Sequence, residues 1–349
     1  MNLKKNVALA PYTSFRLGGP AECFVEVSST DELLEVVRNN KHQRIWLLGY
    51  GSNTLISDKG LEGLVICMRG GSTQIAGQNI IVDAGVWWDD VVKLSIDHGL
   101  WGIELMSEIP GSVGAAVYIN ITAYGQSIGK VVEWVEVWDP KRASSRRINK
   151  DELKWDYKQS IFQNPANKGL IILRTCLGLS TEHTDKLVYQ KALDVAGELK
   201  LDPNDLEQRR KIIIEARHRA GSIWKPDDKK TVKTVGSFFR NPVVSPKQAA
   251  YVMAFEEHGN PTKQIKKQNL VHGGNTRRVS AAHVMLAAGF KRGQSWGKVK
   301  LNEQNLLKIE ALPGATAQEV YDVAMEIQQT VQDKLDIKLE PEARILGEF

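Results

Sequence analysis

Cysteine is scarce. Three residues, Cys23, Cys67 and Cys176, serve a chain of 349 residues, and none stands in a C-x-x-C spacing. That excludes a disulfide-stapled scaffold and a thiolate-rich metal site, and it leaves small buried hydrophobes in a reducing compartment. Histidine is sparse as well, and His272 and His283 are too far apart in sequence to share a helix face, so no metal is expected. No apolar run reaches the length of a membrane span. The opening "MNLKKNVALAPYTSF" meets Pro11 after only a few apolar residues and lacks the core of a signal peptide. A cytoplasmic protein without membrane insertion is the expectation. A net charge of +5 is spread evenly and no basic run interleaves with aromatics, which argues against nucleic acid and leaves a mild preference for anionic ligands.

What is present describes an ordinary globular chain of more than one subdomain. Hydrophobic residues make up 42% and charged residues 25%, outside the disordered and membrane classes. The length exceeds what one hydrophobic core serves. "STDELLEVVRNN" has Ser29 and Glu32 in capping-box register and sets Leu33, Val36 and Val37 on one helical face. Short apolar strands follow in "RIWLL" and "LVICM", then a strand and helix in "NIIVDAG" and "WWDDVVKLSIDHG", then an alternating strand from Val131 to Asp139. The stretch 187–221 reads as helical with a break at its Pro-Asn-Asp, and "VHGGNTRR" reads as a turn. A last helix begins at a second capping box, Thr316 with Glu319, and carries its apolar stripe on Val320, Val323, Ile327 and Val331.

Three stretches carry chemistry. In "LLGYGSNTLISD" a strand runs into Gly49, Tyr50, Gly51, Ser52 and Asn53, a series of backbone amides little obstructed by side chains and suited to a pyrophosphate. A tight turn after a strand explains the same residues. It is not the Rossmann fingerprint, because Thr54 stands where the third glycine is needed. In "EIPGSVGAAVYINITAYGQSIG", Gly111, Gly114, Ala115 and Ala116 let backbone lie flat against a planar ligand, and a close-packed crossover loop fits equally. In the tail "KLEPEARIL", an extended period of two sets Lys338, Glu340, Glu342 and Arg344 opposite Leu339, Ala343 and Ile345, as a solvated edge or the wet wall of a pocket. A fourth segment, "TVGSFFRNPVVS", places Ser237 between a glycine and two phenylalanines. Taken alone it is a turn or N-cap serine.

Together these segments carry a resemblance. With "TSFRLGGPAECFVEV", "LGYGSN", "IPGSVGAA", "AYGQSIG", "YKQSIF", "GSFFRNPVV" and "EPEARILG" in this order, the chain resembles the UDP-N-acetylenolpyruvoylglucosamine reductases, the MurB flavoenzymes, nearly end to end. Its length and Tyr189, in what looks like the substrate-covering insertion, point to the type I branch. The resemblance implies an α+β fold: a two-lobed FAD-binding region of the PCMH type, residues 1–69 plus 336–349 and residues 70–218, and an α+β substrate-binding lobe, residues 219–335. It implies noncovalent FAD, with the pyrophosphate at Gly49, Tyr50, Gly51, Ser52, Asn53 and Thr54. The flavin ring would lie against Ile109, Pro110, Gly114, Ala115 and Ile119, with Arg344 on a phosphate. It further implies NADPH as co-substrate, a UDP-sugar substrate and a monomer. The implied catalytic residues are Ser237 as proton donor, Glu342, and Lys158; the implied substrate contacts are Tyr157, Tyr189, Arg217 and Asn241.

The chain departs from the family pattern at informative places. Lys158 stands where the family carries an arginine, keeping the charge but losing the planar two-pronged grip. Thr122 replaces a glycine before "AYG", and Ala220 replaces a substrate-binding lysine, with Arg217 and Arg219 within one turn to compensate. These departures keep open a second reading, a FAD-binding homologue with altered substrate or lost reductase activity. A covalent-flavin oxidase is the weakest alternative, because the flavin-facing motifs hold no histidine or cysteine.

Overall fold

The alternating stretch near residue 131 forms the second strand of a five-stranded antiparallel sheet. Val132–Asp139 pairs with Ser144–Asn149 on one side and Ile171–Gly178 on the other, and the sheet continues through Asn79–Asp83 to Thr73–Ala76. In this computed structural model the described residues are 3–40, 44–183, 185–226, 233–255 and 277–349. The turn expected in "VHGGNTRR" lies, through Thr276, outside the described residues, as do positions 227–232 of the lysine-rich run before Ser237. The architecture is α+β. Among the described residues no helix is long and apolar enough to cross a membrane.

The chain divides into two compact units, Met1–Leu3, Phe24–Tyr50 and Gly63–Ile223 in the first and Lys4–Cys23, Gly51–Glu62 and Trp224–Phe349 in the second. In the first unit, Val132, Val135 and Val137 of the sheet are buried with Val91, Val92 and Ile96 of the helix Trp88–Asp97 in one apolar cluster. The strand Ile45–Leu48 lies parallel to Leu61–Met68, with Leu48 opposite Cys67. The helix Thr30–Asn39 starts at Ser29, whose side chain accepts from the Glu32 amide. Its capping box is only half made: the Glu32 carboxylate reaches back past Ser29 to the Ser28 amide and hydroxyl.

The helical stretch breaks where its Pro-Asn-Asp falls, giving Gln190–Leu199 and Leu206–Arg219, the second capped by Asp205. What fixes the second helix is a buried ion pair. Arg209 and Glu104 are both fully shielded from solvent, 2.9 Å apart. Arg209 also donates to the carbonyls of Pro203 and Asp185 and contacts His183, while Glu104 accepts from Gln126 and from the Gly102 amide. Such a pair stabilises only when its remaining donors and acceptors are satisfied, and here they are distributed over several segments.

In the second unit, Ser295–Trp296, Val299–Leu301 and Ile309–Ala311 form a three-stranded antiparallel sheet. The helix Ala317–Leu335 buries Val320, Val323, Ile327 and Val331 in the same cluster as Phe238 and Phe239. Its capping box, Thr316 with Glu319, is complete, and Asp58 accepts from the amides of Ala317 and Gln318, a carboxylate at the positive end of the helix dipole. The tail alternates as its period requires, with Leu339 and Ala343 buried and Lys338, Glu340 and Arg344 exposed. Its last residues, Arg344–Leu346, pair in parallel with Thr54–Ile56.

Replacing Arg209 by alanine leaves Glu104 buried without its cation, and the expected loss is about 3 to 5 kcal/mol of unfolding free energy in urea. Arg209→Met combined with Glu104→Leu should cost less than either single change. An Arg209→Ala protein as stable as the parent would show that the pair does not hold the helix.

Candidate active site

The two glycine-rich segments meet in the first unit. A methyl group added at Gly49 would stand 2.8 Å from the Ser112 Oγ, so the strand end and the "IPGS" turn touch backbone to side chain with no room for a Cβ. Ser112 is held there by its own roles: it bridges to Trp87 and caps the short helix Val113–Ile119 by accepting from the Ala115 amide. Gly114 is likewise pressed on Ala84, where a Cβ would come within 2.8 Å. The short helix buries Val113, Ala116 and Val117 and turns Ala115 outward, with Gly114 and Ile119 half-exposed, so its outer face begins nearly flat.

Around Gly49 the first unit sets a cation and two rings. Arg69 donates from Nε to the Gly49 carbonyl at 3.2 Å and lies over the Tyr50 ring at 5.1 Å. Trp87 meets Tyr50 edge-on at 4.6 Å. Burial pushes the Tyr50 phenol up, against the pull of Arg69.

The second unit holds the rest of the loop. Gly51 has φ +63° and a Cβ there would come within 2.1 Å of the Tyr12 carbonyl, so only glycine fits. Ser14 donates from its amide to the Gly51 carbonyl and from its hydroxyl to the Ser52 carbonyl. Asn53 donates to the Glu342 carbonyl and accepts from the Arg344 amide, which ties the loop to the tail and places Glu342 and Arg344 beside it. Among the described residues the amides of Tyr50, Gly51 and Asn53 have no protein acceptor. Free amides and absent side chains suit a diphosphate group.

The Lys158 hairpin is built on the end of the short helix. Trp155 and Asp156 pair with Ser160 and Gln159, leaving Tyr157 and Lys158 at the turn, both half-buried. Ser160 and Gln163 donate to the Tyr118 carbonyl, and Asn120, in the left-handed conformation, donates to the Asp156 carbonyl at 2.7 Å. Lys158 itself has φ +54°, a strained value for a residue with a Cβ.

A second cluster in the same unit gathers Tyr189, Tyr124 and Arg217. Tyr189 precedes the helix Gln190–Leu199 and packs edge-on against Tyr124, ring centres 5.1 Å apart. Burial drives the Tyr189 phenol up to about 12, with Tyr124 adding, and raises Tyr124 too, so both remain neutral hydrogen-bond donors. Burial pulls the Arg217 guanidinium down, opposed by Tyr124, Glu108 and Asp89, and its sealed Nε has no partner among the described residues. Arg219, one residue before Ala220, is paired with Glu198 and Glu215 at the surface. Thr122 donates its hydroxyl to the Asn120 carbonyl at 3.1 Å.

In the second unit Ser237 is half-buried and its neighbours Phe238 and Phe239 are core residues. Its hydroxyl makes no hydrogen bond among the described residues. The Glu342 amide donates to the Phe238 carbonyl at 2.7 Å, joining the serine segment to the tail. The Asn241 side-chain oxygen accepts from the Ala281 amide, at the start of the helix Ala281–Ala287.

Several residues of this arrangement escaped the sequence reading. Asp89 accepts from the Glu108 amide at 2.6 Å and takes a two-pronged bond from Arg210 at 2.8 and 2.7 Å, fixing the entrance to the "IPGS" turn. Burial would raise the Asp89 carboxyl, but Arg210 and the Glu108 amide hold it below its ordinary value. Ser112, Trp87 and Tyr124 were equally invisible; the only hint of Tyr124 was the "YG" pair, which forms a tight hairpin turn with φ +50° and +96°.

Residues 21–142 match the family described as FAD binding domain, and residues 226–346 match the family described as UDP-N-acetylenolpyruvoylglucosamine reductase, C-terminal domain. The UDP-N-acetylenolpyruvoylglucosamine reductase of Thermobifida fusca is 30% identical over 352 residues, covering 98% of each chain. That of Tropheryma whipplei is 31% identical, covering 98% of this chain and 99% of the other. The crystal structure of the reductase from Thermus caldophilus, 22% identical, superposes with a TM-score of 0.64 over 99% of this chain and 100% of that one, a likeness of fold. With two separate family matches and full-length relatives at this identity, the chain belongs to the UDP-N-acetylenolpyruvoylglucosamine reductase family of FAD-binding oxidoreductases.

Proposed function

We propose that the chain is an NADPH-dependent flavoenzyme that reduces the enolpyruvyl group of UDP-N-acetylenolpyruvoylglucosamine to UDP-N-acetylmuramate, a peptidoglycan precursor. The observation that carries the reading is the surface of the first unit, where contacts at Gly49 and Gly114 leave no room for a Cβ and the Lys158 hairpin is locked to the short helix by the side chains of Asn120 and Ser160. FAD, when bound noncovalently, carries two electrons from NADPH to the substrate. The amides of Tyr50, Gly51 and Asn53, with Ser52 and Thr54 beside them, hold its diphosphate, and Arg344 adds a charge. Ile109, Pro110, Gly114, Ala115 and Ile119 take its ring. By function the chain then falls into the two FAD lobes, residues 1–69 plus 336–349 and 70–218, and a substrate lobe, residues 219–335, a division that cuts across the two compact units.

The chain's own residues supply binding and protons. Arg217, Tyr189, Tyr157 and Asn241 bind the UDP-sugar; two phenols and a guanidinium suit a phosphorylated sugar. Hydride addition to the enolpyruvyl group leaves a carbanion beside a carboxylate. Lys158 balances that charge as a point cation, Glu342 assists, and the Ser237 Oγ gives its proton to the carbon. The protein works as a cytoplasmic monomer.

Purified protein should be yellow and release its flavin on acid denaturation. Gly51→Ala, which forces a methyl against the Tyr12 carbonyl, should sharply lower the flavin-to-protein absorbance ratio. A colourless parent protein that takes up no FAD would end the proposal.

Lys158→Ala should slow reoxidation of the reduced flavin by substrate, whereas Lys158→Arg retains or raises it. Equal rates in all three proteins would favour a homologue with altered chemistry.

Ser237→Ala should be reduced by NADPH at the normal rate and reoxidised by substrate about 10²-fold to 10⁴-fold more slowly, the range of a lost general acid. Ser237→Cys should recover part of the rate. Anaerobic stopped-flow absorbance reads both steps; if both slow together, the serine only shapes its surroundings.

A further inference from the structure

A lysine is buried opposite the proposed proton donor. Ser237 and Lys308 are partners in an antiparallel bridge, and the Phe238 amide donates to the Leu307 carbonyl at 2.8 Å beside it. Directly opposed residues in such a bridge point to the same face, with side chains in reach of one another. Period two sends Phe238 and Ile309 to the core, 0% and 1% exposed, and leaves Ser237 and Lys308 together on the other face. Lys308 is nevertheless only 3% exposed, a rare state for a lysine. Its backbone is pinned on both sides: the amide donates to the Asn305 carbonyl at 3.0 Å and the carbonyl accepts from the Asn302 amide at 2.9 Å. Glu310, two residues on, is engaged by Lys300 and Asn302.

We propose that Lys308 is a positioning residue that acts through Ser237, its ammonium stabilising the alkoxide that Ser237 becomes when it protonates the substrate carbon. The inference rests on the reading of Ser237 given above. In the step, the Ser237 O–H bond breaks, the proton joins the carbanion and the electron pair stays on Oγ. A hydroxyl is a weak acid because that charge is costly, and a nearby cation lowers the cost. The alkoxide regains its proton from water before the next turnover.

The test uses the FAD-loaded enzyme, with NADPH and UDP-N-acetylenolpyruvoylglucosamine as the two partners in anaerobic stopped flow. Lys308→Met keeps the length and removes the charge. It should be reduced at the parent rate and reoxidised about 10-fold to 10²-fold more slowly, an effect of the size expected when a neighbouring charge moves a pKa by one to two units. Its solvent deuterium isotope effect on reoxidation should rise, and Lys308→Arg should restore most of the rate. In a Ser237→Ala background, Lys308→Met should cause no further slowing, which a general structural role would not reproduce. Parent-like reoxidation, slowing of both half-reactions together, or additivity with Ser237→Ala would overturn the inference. If Lys308→Met fails to hold flavin, Lys308→Gln is read in the same way, and loss of flavin in both neutral variants overturns it in favour of a structural role. A parent enzyme whose reduced flavin is not reoxidised by the substrate overturns the functional reading and this inference with it, whereas a working parent with an indifferent Lys308→Met overturns the inference alone.

Discussion

The approach of Gly49 to Ser112 leaves no space for a single methyl group, and the proposed cofactor surface of the first unit depends on it. Ser112 meets that limit because its own backbone is held by Trp87 and its hydroxyl by the Ala115 amide. The short helix therefore starts where the strand from Ile45–Leu48 ends, and its outer face, small at Gly114 and Ala115, continues the surface that the strand end opens. The Lys158 hairpin is then carried by the far end of the same helix, through the Tyr118 carbonyl and Asn120.

Buried charge plays a second, different part. Arg209 with Glu104 and Arg210 with Asp89 lie one residue apart on one helix yet reach separate segments, the first 105 and the second 121 positions away in sequence. Ion pairs of this kind add little net stability over apolar packing, but breaking one is expensive, so they select one arrangement of the segments they join. Asp89 shows what that selection serves: its carboxylate also holds the Glu108 amide, immediately before the "IPGS" turn.

The fold was legible where local chemistry decides it. The Thr316 cap, the break at Pro-Asn-Asp, the alternating strand and the alternating tail all lie where their sequence periods put them. The Ser29 box was legible only in part, because a glutamate with several amides in reach chose the one before the cap. The segments of the candidate site stand out in the sequence as motifs, and their supports do not. Nothing in "QRRK" says which arginine meets Glu104 and which meets Asp89, and no periodicity relates Tyr124 to Tyr189 or Lys308 to Ser237. Those pairings are fixed by tertiary closure over dozens to hundreds of residues, which no local rule encodes. The same limit explains Arg219, which sequence spacing offered as a stand-in beside Ala220 and which the helix instead turns toward Glu198 and Glu215.

The substitution of lysine for arginine at 158 takes its meaning from this geometry. A guanidinium acts through a fixed planar fork, so it needs its backbone set at one angle, whereas an ammonium on a flexible stem delivers charge from many angles. Lys158 sits at a turn with φ +54°, a conformation that carries strain for any side-chain-bearing residue and is enforced by the bonds to Tyr118 and Asn120 on either side. The turn is thus specified independently of what the side chain does. Charge is preserved at the position while directional grip is given up, and Arg217, half-buried between Tyr124 and the Ser222 carbonyl, remains as a planar donor in the same unit. On the proposed reading, recognition and charge balance are carried by different side chains on different elements, and a change in one does not require a change in the other.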